Sequence, residues 1–138
     1  MLRLTKTYLL TLFCFVSITV SAQLPQSDGE QQRYSVQIEM PRGYISGISV
    51  MQREGELVKG VVVNEFGVTA FAFTYNVVTG KVRLDNVIAM LDKWYIRRVL
   101  RKDLVQVMLC LQRGDTVYEN TRRKIKYQFV SQKFGGFD

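Results

Sequence analysis

Two clusters of cations are the residues in this chain best equipped to do chemistry. Lys93, Arg97, Arg98, Arg101 and Lys102 crowd one predicted helical region, and Arg122, Arg123, Lys124 and Lys126 crowd the start of the last predicted strand. Grouped positive charge suits an anionic partner, such as lipid head groups or a polyanion at a membrane surface. It equally suits a solvated helix face whose long stems cover apolar surface. Beside the first cluster, Trp94, Tyr95 and Ile96 add apolar bulk. That bulk fits a helix docked on a sheet, a lid over an apolar cavity, or an interfacial anchor.

Covalent and metal chemistry are poorly served. The 138 residues include no histidine, which removes Ser-His-Asp and Cys-His nucleophile systems, His-ligated zinc and the commonest general base near neutral pH. Two cysteines cannot fill a four-cysteine metal site. No Gly-rich phosphate loop follows a strand, and neither HExxH nor EF-hand spacing occurs. Glu54, Glu56 and Asp92 sit at turns or beside cations, where capping and surface charge account for them. The expectation is a binding protein, not an enzyme, with no cofactor and no metal.

The elements that position these residues lie behind a predicted export signal. Residues 1–22 show a positive start (Arg3, Lys6), an uncharged apolar stretch (residues 8–20), and Val20-Ser21-Ala22 with small residues where a signal peptidase needs them. The apolar stretch is too short for a membrane span, so cleavage after Ala22 is expected. Phe13 is bulky where a lipobox requires a small residue, so lipidation at Cys14 is not expected. Cleavage takes away Arg3 and Lys6, and the formal charge falls from +7 to +5. It leaves Cys110 as the one cysteine, inside an apolar run where it reads as a small core residue. Export places the chain in the periplasm or at the inner face of the outer membrane, and disfavours nucleic acid as a partner.

From residue 23 onward the pattern is that of one α+β domain. Residues 23–32 are polar and read as a flexible tether; the domain proper spans 33–130, and 131–138 read as a loose tail. Tyr34, Val36, Ile38 and Met40 alternate with polar residues, as in a one-sided strand. A second strand is predicted over 44–52, with Ile48 and Val50 on one side and Ile45 and Met51 on the other. The third, 57–64, is apolar on both faces, as when both are covered, and Gly60 marks a bulge or a close approach. In the fourth, 68–78, Phe71, Phe73, Tyr75 and Val77 form a bulky face opposite Ala70, Ala72, Thr74 and Asn76. A fifth short strand covers 81–85.

The period then becomes helical. Leu91, Tyr95 and Val99 share one stripe, and Ile96, Leu100, Leu104, Val107, Met108 and Leu111 share another. Two offset stripes predict three short helices, at 87–91, 93–101 and from 104, capped by Asn86, Asp92 and Asp103 and stopped at Arg113-Gly114. A terminal hairpin follows, at 117–119 and 125–130. The order gives an antiparallel meander with helices on one side of the sheet.

The strings Asn64-Glu65-Phe66-Gly67, Thr69 through Tyr75 and Leu91 through Leu100 resemble small envelope proteins of Gram-negative bacteria. More distantly, the order of elements resembles the LolA/LolB group of lipoprotein carriers. That resemblance implies a curved antiparallel β-sheet, an incomplete half-barrel, with short helices packed on its concave side and an apolar cavity for acyl chains. The expected ligand is an acyl lipid or lipidated protein. Val61, Val63, Phe71, Phe73 and Tyr75 would line the cavity and Trp94 and Tyr95 would sit at its mouth. Lys93, Arg97, Arg98 and Arg101 would meet an anionic group at the membrane surface. The rival expectation is a non-enzymatic interaction subunit of an envelope complex, with a solid core.

Overall fold

The computed structural model describes residues 24–132; the expected signal segment (1–22), Gln23 and the tail residues 133–138 lie outside them. Seven strands form one antiparallel sheet: β1 (Gln31–Met40), β2 (Gly43–Glu54), β3 (Leu57–Asn64), β4 (Thr69–Asn76), β5 (Val82–Val87), β6 (Val117–Asn120) and β7 (Ile125–Gln132). Their order across the sheet is β5-β4-β3-β2-β1-β7-β6, curled into a half-barrel. The first five strands form the expected meander. The terminal hairpin then docks its longer strand against β1, with Gln37 opposite Gln128 and Ile38 opposite Tyr127.

Period-two alternation fixes which side is core. Tyr34, Val36 and Ile38 of β1, Met51 of β2, and Val58 and Val62 of β3 are buried on the concave face. Phe71, Phe73 and Tyr75 of β4 and Tyr127 and Phe129 of β7 join them. Across this trough lies one helix, α1 (Trp94–Gln112), which buries Leu100, Leu104, Val107, Met108 and Leu111 against the sheet. Cys110 is buried with them, as expected of a small core residue. α1 ends at Arg113, and Gly114 takes the left-handed conformation (φ 91°) that closes a helix C-terminus.

The three predicted helices are thus one helix plus a single 3₁₀ turn at Ala89–Leu91. The two stripes do not mark a break. The long one faces the sheet, while Tyr95 and Val99 widen the apolar arc of the first turns, which overlook a cavity. None of the three predicted caps acts as one. Asn86 pairs with Ala72 inside β5, Asp92 accepts a hydrogen bond from Arg97 at 2.9 Å, and Asp103 is buried in mid-helix.

The polar segment before residue 33 is docked, not a tether. Leu24 is in the core, and Gln31 and Gln32 already belong to β1. Asp28 accepts the Gly55 N–H at 2.9 Å, and Arg53 donates to the Pro25 carbonyl at 3.1 Å. Glu30 accepts the backbone N–H of Ser27 at 3.0 Å and of Gln26 at 3.1 Å, and these bonds hold its carboxyl below the usual range. At the other end, β7 runs through Ser131 to Gln132, two residues into the predicted loose tail.

Curvature has local causes. Register shifts at Val62/Val63 and Ala72/Phe73 increase twist where β3, β4 and β5 meet. Gly60 marks a close approach: it sits opposite Phe73, whose ring occupies the space a Cβ at Gly60 would need. A Cβ at Gly47 would meet the Val63 carbonyl in the same way.

Candidate apolar cavity and its cationic rim

The helix is shorter than the trough it covers. At the end of the sheet where β1 turns into β2 and β6 into β7, the concave face runs on past α1, and a cavity of about 650 Å³ opens there. Its walls are Ile38, Met40 and Pro41, Ile45 of β2, Phe71 of β4 and Leu91 of the 3₁₀ turn. Tyr95, Ile96, Val99 and Leu100 of α1 form the roof, with Ile125 and Tyr127 of β7 on the far side. Arg42 and Arg123 are the charged residues in its lining. A second hollow of about 310 Å³ continues outward from Met40, Arg42, Ile45 and Leu91 toward Tyr44, Phe66 and Met90.

The predicted lining residues separate. Phe71 is in the cavity wall and Tyr95 in its roof. Phe73 and Tyr75 turn to the same concave face but lie beneath α1, where they fill the core and are not part of this cavity's lining. Val61 and Val63 are on the opposite, convex face; the parity of β3 turns Val58, Gly60 and Val62 inward instead. That convex face is only partly covered, so both-sided apolarity in β3 does not mean burial on both sides. Trp94 is 74% exposed and meets Tyr95 edge-on at 5.7 Å, beside the cavity and outside its lining.

The predicted anionic contacts also separate. Arg97 is paired with Asp92 at 2.9 Å, and Lys93 and Arg101 lie on the exposed surface of the helical region. Arg98 is different: with Lys102, Arg122 and Arg123 it lines a cleft of about 180 Å³ next to the cavity, the two sharing Val99 and Arg123.

Beneath that cleft, Asp103 is 3% exposed. Its carboxylate accepts the Tyr127 hydroxyl at 2.7 Å and the Asn120 side-chain amide at 2.9 Å. Burial raises the Asp103 carboxyl above its ordinary value, against the opposing effect of these two bonds and of nearby Arg123. Burial likewise pushes the Tyr127 phenol upward, with the Asp103 charge adding to the effect. Asn120 also accepts the backbone N–H of Arg123 at 3.1 Å, so the turn carrying Arg122 and Arg123 is tied to the helix core.

Sequence patterning missed Ile38, Met40, Ile45 and Ile125 as lining residues because they read as ordinary core. The available signal was length. The inward stripes of β1 and β2 continue to Met40 and Ile45, beyond the first buried helix residue, Leu100. Among the described residues no helix is long and apolar enough to cross a membrane, and no cluster of three metal-ligating side chains occurs. Set against protein-family profiles, curated proteins and solved structures, the chain matches none.

Proposed function

We propose that this chain is an exported envelope protein that holds an acyl chain, from a lipid or a lipidated partner, in the cavity at the open end of its half-barrel. The observation that carries this reading is the cavity itself. About 650 Å³ with an almost wholly apolar lining lies within the range of small-molecule sites and suits a flexible hydrocarbon. Tyr44, Phe66, Met90 and Trp94 are exposed around the same end, a setting in which amphipathic side chains meet a membrane interface. The carrier-like layout expected from the resemblance to LolA/LolB proteins agrees with this reading.

The test is expression of the full chain in a Gram-negative host, followed by mass spectrometry of its extracted lipids and titration with a fluorescent fatty acid. Co-purified acyl lipid and saturable probe binding are expected. Wild-type protein that carries no lipid and binds no probe would overturn the reading.

A second reading, an interaction subunit, is favoured by the convex face. Ile48 is exposed there and Val50, Val61 and Val63 are half-buried around Ala72, in directly opposed pairs. A stoichiometric protein partner released by Val61→Glu, in a chain that carries no lipid, would support it.

A further inference from the structure

We infer that the cleft of Arg98, Lys102, Arg122 and Arg123 is a phosphate-class oxyanion site, and that it holds the head group of the ligand whose chain fills the cavity. The inference rests on the acyl-binding reading and names the class of amphiphile. Three observations carry it.

The first is an excess of positive charge. Elsewhere on the surface Arg83, Arg97 and Arg113 each have an aspartate partner, and Lys59 has Glu54. None of the four cleft cations makes an ion pair among the described residues. The one acid in the cleft wall is Asp103, which faces Arg123 and accepts hydrogen bonds from Tyr127 and Asn120, so four cations share at most one negative charge. Four cations around about 180 Å³ repel one another, and a bound anion removes that repulsion.

The second is placement. Arg98 and Lys102 are four residues apart on α1 and share a face. Arg122 and Arg123 reach the same cleft on a turn held from below by Asn120, so the group is organised by the buried network. Guanidinium forks match the oxygens of a phosphate, and lysine adds a point charge.

The third is continuity. Val99 and Arg123 border both the cleft and the apolar cavity, so one molecule with a hydrocarbon tail and an anionic head spans the two.

Calorimetry on the full chain with lauroyl glycerophosphate, uncharged lauroyl glycerol and inorganic phosphate tests this. The phosphorylated probe should bind about tenfold or more tightly than its uncharged twin. Arg98→Gln with Arg122→Gln, both on exposed side chains, should abolish that difference while leaving lauroyl glycerol binding and the thermal melt unchanged. Equal binding of the two lauroyl probes would overturn the head-group site and leave acyl binding standing. If neither lauroyl probe binds, the acyl reading fails and the inference with it. Inorganic phosphate binding lost in the double variant would then redefine the cleft as a site for a free anion.

Discussion

The Tyr127 hydroxyl donates a 2.7 Å hydrogen bond to Asp103 Oδ2, joining the middle of the helix to the strand that completes the sheet. Both residues are buried, so the bond has no water to replace it. Tyr127→Phe leaves an under-satisfied carboxylate and should cost about 1–3 kcal/mol in urea unfolding.

The same carboxylate sets a pH dependence. Burial lifts its folded-state pKa above 3.8, so the folded protein holds this proton more tightly than the unfolded chain does. Its stabilising contribution is complete below pH 3.8 and is lost as the pH rises through the folded value. Unfolding curves at stepped pH should therefore show wild type losing stability relative to Asp103→Asn over that rise. Parallel profiles would show that Asp103 is not the group responsible.

At Gly60 the ring of Phe73 lies where a Cβ would go. Gly60→Ala should destabilise by about 1–3 kcal/mol through overpacking. In the background of Phe73→Leu the added cost should shrink, because the obstructing ring is gone. A double-mutant cycle reads that coupling directly.

Ser49 presents the opposite case. Its hydroxyl is fully buried without a hydrogen-bond partner among the described residues. Ser49→Ala should be neutral or raise stability by about 1 kcal/mol, measured by thermal or urea unfolding. A clear loss would reveal a bond made by that hydroxyl in solution.

Leu24 tests the docked N-terminal segment. A residue on a flexible tether tolerates truncation, whereas one packed in the core does not. Leu24→Ala should cost about 2–4 kcal/mol.

Much of the fold was legible because alternation is a local signal. Tyr34, Val36 and Ile38 announce their face within one strand, and Phe71, Phe73 and Tyr75 do the same. What escaped was set by partners distant in sequence. Asp103 resembles a cap because acids commonly begin helices, and it is Tyr127, Asn120 and Arg123, arriving later in the chain, that make it tolerable inside one. The apolar run of β3 suggests cavity positions for Val61 and Val63 because such a run has no parity of its own; the pairing of Gly60 with Phe73 supplies it and turns both outward. Phe71 borders the cavity while Phe73 and Tyr75 are packed in the core, because which part of an aromatic stripe stays uncovered depends on where the helix begins. Arg98 emerged from the cationic cluster for a related reason: the turn bearing Arg122 and Arg123 folds back beside it.

The pairing of β7 with β1 has a consequence for how the molecule comes into being. Synthesis delivers the five-stranded meander first, with Tyr34, Phe71 and Phe73 on a face that nothing yet shields. The helix arrives next, and the neighbour of β1 comes last, from the opposite end of the chain. Contacts between such remote segments form slowly, and the open edge of β1 beside bare aromatic surface invites association with other chains. Refolding should therefore be rate-limited by the closing of the C-terminal hairpin onto β1. A chain cut short before residue 117 would present β1 as an open edge of sheet where the finished molecule has an interior strand.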